Sequence, residues 1–434
     1  MRVVWHVLGF AYTWPAPTGG LNVSRSDAIE TIASRYSKLK LDRRSFALFC
    51  TGSILRRPKV PLTWKPMRAR YIALKIRPNW KFGLKVWMKM KIKNLQFASC
   101  AIGCLAFLAA NGLAQQSGEI ERLDPAVDAI VPSDAHVEKL ADGLGFVEGP
   151  VWVHKGHEGY LLFSDIPANV IDKWSPNGGV SVFLEKSGFT GSDATDVGGQ
   201  GNNGRAPVIL LGSNGITLDK QGRVTFCQHG DHGVVRVEKD GKRTTLADSY
   251  EGKRLNSPND LVYKSDGSLY FTDPPFGLRK RDDDPKKALA FNGVYRWSNR
   301  KLEVLSKDLK GPNGIAFSPD EKYLYVNDSS GKFIMRFDAL PDGGIANGHI
   351  ITDMKADARP GVPDGMKVDR RGNIYCTGPG GFWIMSPEGK HIATVLTKEL
   401  PANLAWGDAD GKTLYLTART GLYRIRLNVA GVRP

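Results

Sequence analysis

An all-β chain closed into a six-bladed β-propeller with a metal site on its axis is the fold this sequence predicts, and three observations predict it. Six stretches repeat one pattern: a lead Glu, Asn or Asp, a short strand, a turn rich in Asp and Gly, and a second strand. They start at Glu148, Asn214, Asn259, Asn313, Asp364 and Asn403, separated by 66, 45, 54, 51 and 39 residues, the spacing of propeller blades. No helical periodicity runs beyond two turns, whereas alternating β-branched and aromatic segments recur at 180–183, 223–227, 268–272, 323–326, 373–377 and 413–417.

The elements follow in chain order. The first blade opens on Phe-Val-Glu-Gly-Pro-Val-Trp (146–152). The next five carry hairpin turns at Lys-Gln-Gly (220–222), Ser-Asp-Gly (265–267), Pro-Asp-Glu (319–321), Arg-Arg-Gly (370–372) and Ala-Asp-Gly (409–411), each suited to a tight reversal. A ring needs one terminus to complete a blade begun by the other, and residues 136–140 and 421–427 are the natural partners. Two segments lie outside the repeat, the Gly- and Asn-rich 188–207 and the charged 277–290. Such long insertions act as lids or remain solvated surface.

Charge separates this domain from what precedes it. The chain carries a net +16, but residues 1–93 hold 20 of the 60 Lys and Arg and only three of the 44 acids. The rest is near neutral, and no nucleic-acid module is legible. Residues 88–114 combine a basic start (Met88 to Asn94), an apolar run to Leu113 and small residues at Gly112 and Ala114, the pattern of a secretory leader cut before Gln115. On that reading translation begins at Met88 or Met90, residues 1–87 are an upstream extension, and residues 115–434 are a periplasmic or secreted propeller. An RNA-binding extension, a membrane anchor at 95–113 and a lipoprotein at Cys100 or Cys104 are the alternatives. Only Cys227 and Cys376 fall in the mature chain. They occupy similar places in opposite blades, too far apart for a bridge.

Radial repetition sets the six lead residues around the mouth of one channel. Glu148, Asn313 and Asp364 offer two carboxylates and an amide oxygen, and none of the six is His or Cys, which suits Ca²⁺, Mg²⁺ or Mn²⁺ better than a structural zinc. The blander account is that Asn and Asp before Gly stabilise turns near the axis. Glu148 argues against it, because a Glu beside Phe146, Val147 and Trp152 is costly without a cation or hydrogen bonds. No Gly-x-Ser-x-Gly elbow or Cys–His pairing points to nucleophilic catalysis.

FVEGPVW, LNSPNDLVYKSDGSLYFTDPPFGL, GPNGIAFSPDEKYLYVND and VPDGMKVDRRGNIYCTG together resemble the gluconolactonase/regucalcin (senescence marker protein) family, above all its secreted bacterial gluconolactonases, over about residues 136–428. The resemblance implies one divalent cation, Ca²⁺ first with Mn²⁺, Mg²⁺ or Zn²⁺ as alternatives, and hydrolysis of a small sugar lactone. It carries Glu148, Asn313 and Asp364 over as metal ligands, with Asp364 also as general base. Asn259 becomes a substrate contact or a further ligand, and His229 a substrate-binding or proton-transfer group, while Asn214 and Asn403 support them from behind. His232 is expected to be a solvent-facing turn residue. Phosphotriesters or other lactones at the same site, and a non-catalytic ligand-binding propeller, remain the rival functions.

Overall fold

A computed structural model describes residues 3–7, 10–14, 118–156 and 158–432. It divides into two units, residues 1–91 and 92–434. In the first, Val3–Val7 pairs antiparallel with Phe10–Trp14. The leader expected at 88–114 lies outside the described residues, as does most of the upstream extension. Among the described residues no helix is long and apolar enough to cross a membrane.

The second unit is the six-bladed propeller that the repeats predict. The first blade runs Val147–Lys155, Glu158–Asp165, Val170–Ser175 and Gly179–Glu185 from axis to rim. The second, third and fourth begin at Ser213–Leu218, Leu261–Tyr263 and Pro312–Phe317, and the fifth and sixth at Met366–Val368 and Asn403–Gly407. Ring closure is the expected one. Val137–Asp142 pairs with Gly421–Arg426 as the outer strand of the sixth blade, in the register Val137 to Ile425 and Asp142 to Gly421. Ile120–Arg122 adds a fifth strand to the fifth blade.

Apolar side chains fill the wedges between neighbouring blades. Val151, Leu162, Ile216 and Phe226 seal the first against the second, and Leu404, Trp406, Tyr375 and Ile384 seal the fifth against the sixth. Aromatic contacts span these seams: Tyr375 meets Trp406 edge-on with centroids 4.9 Å apart, and Trp152 stacks on Tyr415 at 5.1 Å. Cys227 and Cys376 are buried and free.

The two ends of the axis differ. At one end lie the lead residues. Towards the other is a cavity of about 120 Å³ lined by Val151, Ile216, Val262, Ile315, Lys367 and Val432. The C-terminal tail reaches it from below, where Arg370 N–H donates to the Ala430 carbonyl and Val432 N–H to the Val368 carbonyl.

Candidate metal centre

The lead residues stand where the innermost strands begin, and the backbone there is irregular for a reason. In the first, second and fourth blades the ladder shifts register between Glu148 and Val151, Ser213 and Ile216, and Pro312 and Ile315. Such bulges re-aim a side chain out of the pleat, here toward the axis. In the third and fifth blades the strand starts two residues after Asn259 and Asp364. The glycines that follow the leads are there for close approach. A Cβ on Gly149 would stand 2.0 Å from the Asn214 carbonyl oxygen, and one on Gly314 2.2 Å from that of Asp364. The backbones of Asn214, Asn259, Asp364 and Asn403 thus pack against the glycine of the preceding blade.

Cross-blade bonds hold these backbones. Ser164 Oγ donates to the Asn214 carbonyl at 2.7 Å, Thr272 Oγ1 to that of Asn313 at 2.8 Å, and Asn327 Nδ2 to that of Asp364 at 2.6 Å. Side chains are then aimed. Asn313 Nδ2 donates to Ser329 Oγ at 3.0 Å, and Ser329 Oγ donates to the Pro363 carbonyl at 2.6 Å, tying the loops of Asn313 and Asp364 together.

The decisive observation is what has no partner. Asn214 Oδ1, Asn259 Oδ1, Asn313 Oδ1 and Asp364 Oδ1 are all buried without a hydrogen bond. Buried polar atoms are almost always paired, so four unpaired oxygens on four of six lead residues make this layer the candidate ligand site. Asn403 is the exception among the amides: its Oδ1 accepts from Leu404 N–H at 2.8 Å and its Nδ2 points to Asp260 Oδ2 at 3.4 Å. Glu148 Oε2 accepts from Gly149 N–H at 2.8 Å.

Charge points the same way. Burial pushes the Glu148 carboxyl up to about 7, with Asp260 adding to the push and Gly149 N–H resisting it. Burial, and then Glu148 nearby, pushes Asp364 well above the carboxylate range. Sequence reasoning missed two members of this group, buried Asp260 and Lys367, whose Nζ lies 3.7 Å from Asp260 Oδ2. Both left a signal. Asp260 stands where four other leads are followed by Gly, and Lys367 is the charged residue in a column otherwise made of Val151, Thr217, Val262, Ala316 and Trp406. Three carboxylates against one lysine, when ionised, leave two negative charges that these side chains do not balance among themselves. Among the described residues no three His, Cys, Asp or Glu converge as a ligand cluster. The donor set is mixed carboxylate and amide, which fits a hard cation.

His229 is 1% exposed, and its Nε2 lies 3.1 Å from Asn214 Nδ2. Burial pulls its pKa down to about 3, so a neutral ring accepts the amide proton and leaves Asn214 Oδ1 free. His232 corrects an expectation. It is buried, not solvent-facing, and its Nδ1 bonds the Asn256 carbonyl because the chain turns inward there at φ 59°.

The two insertions meet above this layer. Residues 199–210 form a hairpin, Asn203 Nδ2 donates to the Gly145 carbonyl at 2.7 Å, and Lys286 Nζ donates to the Asp196 carbonyl at 3.4 Å. Arg279 also donates to the Thr195 carbonyl. The segment 188–207 is therefore anchored on the first and third blades.

A family model described as "SMP-30/Gluconolactonase/LRE-like region" matches residues 146–420. The chain belongs to this family. The resemblance carried by the four motifs is thereby borne out. Among similar proteins, a gluconolactonase of Zymomonas mobilis is 34% identical over 324 residues, 72% of this chain and 87% of that protein. A solved gluconolactonase from Xanthomonas campestris is 29% identical with a TM-score of 0.60, over 73% of this chain and 98% of that one. A regucalcin from Agrobacterium tumefaciens, described as calcium-binding, shares the fold at 17% identity and a TM-score of 0.53, over 68% and 95% of the chains. The SMP-30/gluconolactonase match ends at residue 420, just before Gly421–Arg426, the strand that pairs with Val137–Asp142 to close the ring.

Proposed function

We propose that this protein is a lactonase that opens a sugar lactone, such as glucono-1,5-lactone, with one divalent cation held by Glu148, Asn313 and Asp364. The observation that carries the proposal is the set of unpartnered buried oxygens on Asn214, Asn259, Asn313 and Asp364. The names of the relatives, gluconolactonase and the lactonohydrolase oryL of Aspergillus oryzae, support the ester class. Ca²⁺ is the first candidate for this oxygen set, with Mn²⁺, Mg²⁺ and Zn²⁺ as alternatives.

When bound, the cation would supply Lewis-acid polarisation of the lactone carbonyl and stabilise the oxyanion. The remaining work belongs to the chain. Asp364 takes a proton from the attacking water through its free Oδ1 and returns it to the ring oxygen as the acyl C–O bond breaks, giving the open-chain hydroxy acid. Asn214, aimed by His229, and Asn259 accept hydrogen bonds from sugar hydroxyls. Ser329 fixes Asn313 so that its carbonyl oxygen faces the axis, and the segment 188–207 excludes bulk water above the first three blades. The leader read at 88–114 makes this a periplasmic or secreted enzyme whose partner is a small molecule, not nucleic acid or membrane.

Proton release from glucono-1,5-lactone tests the proposal, with Ca²⁺, Mn²⁺ and Zn²⁺ added separately after chelation. Turnover lost on chelation and restored by one ion, with the melting profile intact, is the expected result. Turnover indifferent to chelation would refute the cation, and unfolding on chelation without turnover of any lactone would assign the propeller a binding role. A panel of other lactones and phosphotriesters identifies the substrate.

A further inference from the structure

Three buried carboxylates outside the ring each accept from two successive backbone N–H groups, Asp165 and Asp273 on both oxygens and Asp328 on Oδ2 alone. In the first blade Asp165 accepts from Gly145 N–H at 2.8 Å and Phe146 N–H at 3.2 Å. In the third, Asp273 accepts from Asn256 N–H at 2.8 Å and Ser257 N–H at 2.7 Å. In the fourth, Asp328 accepts from Lys310 N–H at 2.7 Å and Gly311 N–H at 3.1 Å. The donors are always the residues three and two before a lead: Glu148, Asn259 or Asn313. Each Asp ends the second strand of its blade, where the other blades carry Gln228, Gly378 and Ala418.

We infer that Asp165, Asp273 and Asp328 are positioning residues for the cation site, a set of carboxylate clamps that fixes the loops delivering Glu148, Asn259 and Asn313 to the axis. The inference rests on the cation-dependent function proposed above. A carboxylate bonded to two successive N–H groups sets the direction of the peptide plane, and that plane sets where a side chain two or three residues on points. The clamps are themselves buried, at 5%, 0% and 1% exposure, so their bonds do not exchange with water. A Cβ on Gly145 would lie 2.4 Å from Asp165 Oδ1, so the clamped loop has been fitted to its carboxylate. The clamps are also distributed unequally. Two of the three expected ligands have one, as does Asn259. Asp364 is held instead by its N–H on Thr377 Oγ1 at 2.9 Å and by Ser329, the neighbour of the Asp328 clamp. Asn214, which His229 aims instead, and Asn403, in a supporting role, have none.

The test compares D165N, D273N and D328N with D369N in the full chain. Asp369 is equally buried and closes a hairpin turn by accepting from Arg371 N–H at 2.8 Å and Asn373 N–H at 3.0 Å, but lies at the opposite end of the fifth blade. Ca²⁺ affinity by calorimetry, lactone kcat and KM, and amide hydrogen exchange are measured for each. The clamp variants are expected to weaken Ca²⁺ binding by about 10–100-fold, to lower kcat, and to speed exchange in 145–148, 256–259 or 310–313 respectively. D369N is expected to melt earlier with Ca²⁺ affinity unchanged. Unaltered Ca²⁺ affinity and kcat in folded clamp variants overturns the inference, as does failure of all three to fold while D369N folds. If the wild type neither binds Ca²⁺ nor turns over a lactone, the proposed function falls. The clamps are then judged by exchange alone: faster exchange confined to each variant's own lead loop upholds positioning, and unchanged exchange rejects it.

Discussion

The two ends of the propeller axis are built from the same six strands yet have opposite chemistry. At the mouth the strands begin with Glu148, Asn214, Asn259, Asn313, Asp364 and Asn403, and four of these hold a buried oxygen without a partner. Two to four residues further on, the strands present Val151, Ile216, Val262, Ile315 and Phe317 to a cavity of about 120 Å³ that Val432 closes. Lys367 stands between the two layers. The fold and the site are thus paid for separately: apolar side chains gather one turn of the pleat below a layer that is left electrostatically incomplete. A substitution at one end should therefore move activity, and one at the other end stability.

The largest expected effect is at the mouth. Glu148→Gln or Asp364→Asn keeps shape and removes one of the mutually repelling carboxylates, so lactone turnover should fall by about a hundredfold or more while the chelated protein melts no lower than wild type. Proton release and a thermal melt check it together. Near-normal turnover in either variant would mean that the mouth is no more functional than the base. The converse substitution, Phe317→Ala, removes a ring that meets Tyr270 edge-on at 4.9 Å. It should cost about 3 kcal/mol of stability in denaturant unfolding with kcat of the folded fraction unchanged.

How much of this was legible in the sequence depends on whether a residue acts through its own neighbours in the chain. The blades were, because strand alternation and Asp-Gly turns are local. Ring closure by 136–140 was, because both termini carry strand pattern and one blade lacked a strand. The lead residues were legible as a polar column in the repeat, but the glycines after them were weighed only as turn formers in the blander account, whereas Gly149 and Gly314 are required by the backbone of the next blade, a contact between segments fifty or more residues apart. Asp165, Asp273 and Asp328 act on N–H groups of loops well upstream of them, and nothing in their local sequence says so. His232 was misplaced for the same reason: a Gly-Asp-His-Gly turn looks solvated until the Asn256 carbonyl arrives to meet it.

The histidines at the mouth give this end of the axis a pH dependence. Burial pulls His229 down to about 3 and His232 to about 4, from an ordinary 6.5. Both are neutral when folded and protonate near 6.5 when unfolded. Their contribution is thus fully present above about 6.5 and is lost as pH falls toward the folded values, at about 2 kcal/mol each by pH 5. Denaturant midpoints measured from pH 7 to 5 should fall steeply in wild type and less steeply in His229→Gln, whose side-chain oxygen can still accept from Asn214. An equal slope in both would mean that the mouth does not bury a neutral imidazole.

The smallest expected effect lies in the strap above the mouth. Arg205, in the segment 188–207, reaches Asp142 Oδ1 at 2.6 Å and Glu399 Oε1 at 3.5 Å, with half of its side chain exposed. Exposed pairs of this kind are worth about 0.2–1 kcal/mol, too little to hold the fold but enough to bias a loop that Asn203 and the 277–290 segment anchor elsewhere. Arg205→Ala should therefore leave the melting temperature nearly unchanged and raise KM for the lactone by about two- to fivefold at constant kcat. A fall in kcat instead would mean that the strap shapes the reacting geometry, and the boundary between the electrostatic mouth and its cover would have to be drawn further out, at the Asp142–Glu399 edge of the sixth blade.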